Sequence, residues 1–181
     1  CCARAFHPMA DGMALEGMRL IKEWLPTAVA DGSDISARAH MLVASMMGAT
    51  AFQKGLGAIH ALSHPVGALY NAHHGLTNAI FMPYVLAFNR QDIEAPLTRL
   101  ASHLGLPGSG ADGLIQWVLE LRQEIGIPHS LADLGVEESG VDELVALAEI
   151  DQARACNPRP LSRQDLAQLF IVAIRGEMPG S

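Results

Sequence analysis

Four of the chain's eight histidines, His60, His64, His73 and His74, fall within fifteen residues, in a stretch whose other members are apolar or small. His60 and His64 are four apart, so on a helix they share one face and their imidazoles can converge on one ion, or on an ion and its substrate. Neutral imidazole is the commonest metal ligand and suits iron and zinc. Any one of these histidines taken alone is more simply a core or surface residue satisfied by carbonyl and hydroxyl groups. As a cluster they favour metal binding, because several buried imidazoles without an ion would each need a separate partner. His73 sits beside His74 and not on a shared helical face, so a surface or supporting position suits it better. His7, His40, His103 and His129 have no partner pattern and read as surface or helix-face residues.

Two histidines do not complete a catalytic iron or zinc shell, which takes three or more protein ligands, often with a carboxylate among them. Nothing in the chain obviously supplies the rest. The acidic residues nearest in sequence, Asp11, Glu16 and Asp31, sit in patterns that read as helix caps or solvated faces.

The elements that must position these histidines are all helical. Met13, Leu15, Met18, Leu20, Ile21, Trp24 and Leu25 recur at three- and four-residue spacing, predicting a first helix over Met9 to Leu25 that Pro26 ends. Asp34 is placed to cap a second, long helix whose apolar run from Ala39 continues toward Ser63. It is expected to be central and largely buried, and His64-Pro65 to close it. His74-Gly75 opens a third helix to Phe88, with a kink or break at Pro83. Surface helices are expected over Asp92 to Leu104, capped by Asp92, and over Leu114 to Ile125. Val141 to Ile150 and Leu166 to Ile174 complete the set, the last behind the capping-box pattern of Ser162 and Asp165. No convincing strand pattern, internal repeat or long linker is present. Gly108-Ser109-Gly110-Ala111-Asp112-Gly113 has the glycine spacing of a dinucleotide-binding loop, but it follows a helix and Pro107 where such a loop follows a strand. It reads as a turn.

Bulk properties narrow the function classes. The net charge of −7 argues against a nucleic-acid or anionic-membrane surface, since those draw affinity from clustered positive charge. Cys1 and Cys2 are adjacent and Cys156 stands alone, which suits a reducing cytoplasm better than a disulfide framework. The longest strongly apolar stretch, Ala79 to Phe88, has about half the length of a membrane span and contains Pro83. The first residues carry neither an initiating Met nor a signal-peptide pattern, so the chain is expected to begin within a longer protein.

The stretch from Gly57 to Gly75 resembles the second signature of the iron-containing, or group III, alcohol dehydrogenases. There a Gly precedes His-x-x-x-His-Pro-x-Gly, and a later His-Gly opens the next helix. The resemblance extends over nearly the whole chain, from His7-Pro8 and Ala14 to Ile21, through Pro83 and Phe88-Asn89, to Asn157-Pro158-Arg159-Pro160. It implies an all-α helical bundle, the dehydroquinate synthase-like C-terminal half of such an enzyme. Residues 1–181 would be one helical domain, and the N-terminal dinucleotide-binding domain is not matched. The family's ion is held by an Asp and a His four apart on a helix and by two histidines corresponding to His60 and His74; the resemblance places His64 beside nicotinamide and substrate. The Asp-x-x-x-His pair would lie upstream of Cys1. His73 stands where relatives often carry Pro, and His-Ala-Leu-Ser-His-Pro resembles the alcohol-oxidising branch more than the maleylacetate reductases.

What the resemblance implies is a metal-dependent dehydrogenase transferring hydride between a small alcohol or aldehyde and NAD or NADP. Its ion would be ferrous iron, with zinc as the other candidate, and its setting a cytoplasmic homo-oligomer. This chain alone is expected to be inactive. Two other classes remain open: a non-catalytic helical metal-binding or interaction module in which His60, His64 and His74 form a complete site, and a natural fragment that no longer catalyses.

Overall fold

The computed structural model describes residues 2–108 and 110–178. Seven α-helices in chain order carry the fold: α1 (Pro8–Ala30), α2 (Ile35–Ala51), α3 (Ala58–Tyr70), α4 (His74–His103), α5 (Gly110–Glu124), α6 (Val141–Ile150) and α7 (Arg163–Arg175), with short 3-10 turns between them. No strand occurs among the described residues, as the punctuation of the sequence predicts. Pro107 and Gly108 form a bend ahead of α5, but Gly110 to Gly113, read as part of a turn, make the first turn of that helix; Ser109 lies outside the described residues.

Four prolines sit inside helices, and three of the expected helix ends are therefore absent. α1 runs past Pro26 to Ala30, α3 runs past Pro65 to Tyr70, and α4 continues through Pro83 and Pro96, absorbing the helix expected over Asp92 to Leu104. Packing decides this. An internal proline costs about 3 kcal/mol, whereas each buried Leu, Ile, Val or Phe side chain contributes about 1.5–3 kcal/mol. Leu62 and Val66 flank Pro65, and Ile80, Phe81 and Val85 surround Pro83, all fully or almost fully buried. Burial outweighs the lost hydrogen bond.

The opposite correction applies to the second predicted helix, which is neither continuous to Ser63 nor buried. α2 stops at Ala51, and a 3-10 turn (Phe52–Lys54) and Gly55-Leu56-Gly57 separate it from α3. It buries only Ala37 and Ala44, leaving Ile35, Leu42 and Met46 mostly exposed. Its contact with α1 is a close approach of small residues: a Cβ on Gly17 would meet the Ala44 carbonyl oxygen at 3.5 Å and the Met47 Cβ at 3.4 Å. Asp11 is likewise no solvated residue. Its carboxylate pairs at 2.7 Å with Lys54, whose side chain is only 7% exposed, tying the 3-10 turn to α1.

Two apolar cores meet along α4. The larger gathers α3, the first half of α4, α6, α7 and the segment holding Leu131 and Val136, around Leu62, Phe81, Tyr84 and Phe170. The smaller packs Ile93, Leu97 and Leu100 of α4 on Ala111 and Leu114 of α5, with Leu15 and Met18 of α1 alongside. α5 is thus more deeply seated than a surface helix: Arg122 is buried and donates to the carbonyls of Ile80 at 3.3 Å and Pro128 at 2.7 Å. The capping box of α7 is present in both halves, with Ser162 and Asp165 exchanging bonds as their spacing predicts. No described helix is long and apolar enough to cross a membrane.

Candidate metal and substrate site

α3 begins where it does because its first turn is held from outside. Gly55 adopts φ +95°, a conformation that favours glycine, and a Cβ there would lie 2.6 Å from the Cys156 sulfur. Gly57 then enters the helix in extended geometry with no side chain of its own to cap it. The cap comes from Asn157, 99 residues further on, whose Oδ1 accepts from the Ala58 N–H at 3.1 Å. Asn157 also exchanges bonds with Asn89 of α4 at 2.8 and 3.1 Å and donates to the Arg159 carbonyl at 2.7 Å. Both asparagines are only 4% exposed, so this clasp fixes the start of α3 against α4.

From that start, His60 and His64 fall on one face of α3. The helix ends at Asn71 in left-handed geometry (φ 50°, ψ 33°), and the chain turns back through Ala72 and His73. His73 caps α4, its Nδ1 accepting from the Leu76 N–H at 3.3 Å, which puts His74 at the first helical position. The three rings come together: His60 to His74 5.3 Å between centres, His64 to His74 5.4 Å and His60 to His64 5.8 Å. His73 is directed to its capping role and not to this group.

The spacing suits imidazole ligation. A coordinating ring has its centre about 3.2 Å from the ion, and two such rings at a tetrahedral angle stand about 5 Å apart. All three pairs meet that distance, so partners must distinguish them. His64 uses Nδ1 to bind the Asp151 Oδ2 at 2.7 Å. The His74 Nε2 lies 3.0 Å from the Asn78 amide nitrogen, and the Asn78 Oδ1 is buried with no hydrogen-bond partner. Among the described residues no group of three or more His, Cys, Asp or Glu side chains is arranged to hold a metal ion. The three histidines therefore do not close a coordination sphere by themselves.

Burial lowers the His60 pKa, and the neighbouring His74 and His64 rings lower it further, with Asp151 opposing them. His60 is thereby biased toward the neutral, lone-pair-bearing form that a ligand needs. Phe52 presses edge-on against it at 5.7 Å. His60 also borders, with Met82 and Trp117, a largely apolar cavity of about 590 Å³ lined by residues of α1, α2, α4 and α5. On the outer side, His64 and Asp151 line an open cleft of about 680 Å³ with Pro65, Ala68 and Ile150.

The remaining histidines have structural partners. His7 caps α1 and touches Gln53 at 3.0 Å, His40 stacks on Trp24 at 4.1 Å between ring centres, and His129 bonds the Gly176 carbonyl at 2.9 Å. His103 closes α4. Sequence reading missed Asp151 and the asparagine clasp. Asp151 is 87 residues from His64 and shares no spacing with it; for Asn157, the Asn-Pro-Arg-Pro run was the only visible signal.

The all-helical fold, with a histidine pair on α3 and a third histidine opening α4, is the arrangement that the resemblance to the iron-containing alcohol dehydrogenases implies. Residues 1–174 match the family described as Fe-containing alcohol dehydrogenase family, C-terminal, and the chain belongs to it. It is 41% identical over 180 residues to a 4-hydroxybutyrate dehydrogenase of Cupriavidus necator, across 93% of this chain and 46% of that protein. It is 37% identical over 175 residues to an NAD-dependent methanol dehydrogenase of Bacillus methanolicus, again across 93% of this chain and 46% of that protein. In three dimensions it resembles a 1,3-propanediol oxidoreductase with a TM-score of 0.91 and 33% identity, covering 96% of this chain and 47% of that one. The chain thus spans about half the length of the relatives it matches, and the solved structures agree with it throughout its helical bundle.

Proposed function

We propose that residues 1–181 form the metal-binding and substrate-facing domain of a dehydrogenase that transfers hydride between a small alcohol or aldehyde and NAD or NADP. The observation that carries this reading is the convergence of His60, His64 and His74, within 5.3–5.8 Å of one another, from two helices of a chain in this family. His60 and His74 would hold the ion, ferrous iron by family and zinc as the alternative; when bound it supplies Lewis acidity toward a carbonyl or alkoxide oxygen. His64 is assigned to face nicotinamide and substrate, where it orients the substrate hydroxyl or exchanges its proton. Burial of His60 favours its neutral form, and the fixed start of α3 holds the ring in register.

The other ligands and the phosphate cradle for the nucleotide belong to a second half of the kind the longer relatives possess. The enzyme is proposed to act in the cytoplasm as a homo-oligomer.

The test is turnover with NAD, ferrous iron and simple alcohols. The chain alone is expected to show none, and the polypeptide that joins it to a nucleotide-binding half is expected to show it. Either His60→Ala or His74→Ala in that polypeptide should abolish metal uptake. Turnover by the chain alone, or a metal-loaded joined polypeptide that oxidises no alcohol, overturns the proposal.

A further inference from the structure

Asp151 stands at the junction of α6 and the 3-10 turn Gln152–Cys156, and it is held there at both oxygens. Oδ1 accepts from the backbone N–H of Ala153 at 2.8 Å, and Oδ2 faces the His64 Nδ1 at 2.7 Å. With one oxygen tied to the backbone, the carboxylate is not free to rotate away. Its side chain is 18% exposed against 43% for His64, so the more deeply seated partner anchors the more open one. Leu147 and Ile150 of α6, with Pro65 and Ala68 of α3, contribute apolar walls to the cleft that the pair lines.

An ionised carboxylate offers acceptors only, so the ring nitrogen it faces must carry the hydrogen. We propose that Asp151 is the positioning residue of His64: its carboxylate holds the imidazole as the Nδ1–H tautomer and leaves Nε2 as the lone-pair nitrogen presented to the His60–His74 side of the cleft. The role attributed to His64 rests on the dehydrogenase reading; the tautomer does not. It would set which nitrogen meets a substrate hydroxyl, and it links α6, from the far end of the sequence, to the histidine face of α3.

The experiment is a long-range ¹H–¹⁵N correlation spectrum of the 181-residue chain labelled at histidine, recorded near pH 8, with His64 assigned through its loss in His64→Gln. The wild type is expected to show His64 as Nδ1–H by about tenfold or more over the other tautomer, the bias a charge-assisted hydrogen bond supplies. Asp151→Asn, whose amide can donate to Nδ1, should move the population toward Nε2–H, and Asp151→Glu should restore it, with circular dichroism showing the same helix content throughout. A wild-type His64 in the Nε2–H form overturns the proposal, as does an Asp151→Asn spectrum with the tautomer unchanged. Because the readout needs no turnover, failure of the dehydrogenase reading would appear in the activity assay and leave this result standing.

Discussion

Replacing Asn157 with Ala removes four hydrogen bonds at once: from the Ala58 N–H, to and from Asn89, and to the Arg159 carbonyl. Three of the orphaned groups are buried, namely the Ala58 N–H and both ends of the Asn89 amide. Each buried group left unpaired costs about 1–3 kcal/mol, and one water entering the vacated space can restore part of that. The expected loss is therefore about 3–4 kcal/mol, a large share of the 5–15 kcal/mol typical of a domain. Urea unfolding followed by circular dichroism measures it. Hydrogen exchange should accelerate first at Ala58, His60 and Ala61, the amides of the turn that the clasp holds. Asn89→Ala removes the same pair from the other side, so the double variant should fall short of additivity by about 1–3 kcal/mol. A loss below about 1 kcal/mol, or strict additivity, would show that the clasp does not fix the start of α3.

Three further outcomes are expected. Gly55→Ala combines a φ of +95° with a Cβ 2.6 Å from the Cys156 sulfur and should lower stability by about 2–3 kcal/mol in thermal melts; an unchanged Tm would contradict the packing described. Ser162→Ala should cost about 1 kcal/mol at pH 7 through loss of the α7 cap. The Ser162 bond lowers the Asp165 pKa, so its contribution is present above the unfolded value of about 3.9 and lost as pH falls through the lower folded one. The gap between Ser162→Ala and wild type should narrow below about pH 4 in denaturation curves, and a gap independent of pH would exclude this linkage. Cobalt titration of the chain should show weak uptake that His60→Ala or His74→Ala eliminates and His129→Ala does not; tight stoichiometric binding would favour the self-contained metal module instead.

The helical class, the caps at Asp34 and Ser162 and the pairing of His60 with His64 were legible because each depends on residues within one turn of each other. So were the bounds of α6, Val141–Ile150, but the ends expected at Pro26, His64-Pro65 and Phe88 were not. The sequence rule at Pro26, Pro65 and Pro83 is local, while what overrides it at Pro65 and Pro83 is burial against helices distant in the chain. α2 misled for the converse reason: an apolar run marks a surface that can be buried, not one that is. Asp151 and Asn157 were invisible as site residues because a lone acid or amide acquires its meaning only when the fold sets it beside a histidine or a helix start.

The continuity of α4 has a consequence for insertions and deletions. At about 1.5 Å per residue its 30 residues form a rod of about 45 Å that carries His74 at one end and the side chains of the smaller core at the other. One residue added anywhere between Pro83 and Ile93 turns everything beyond it by about 100°, carrying Ile93, Leu97 and Leu100 out of their core or forcing the histidine end to rotate. Length variation should therefore be accepted in the turn before α5 and rejected within α4, whatever residue is inserted, because the helix works as a ruler whose length and phase the two cores read together.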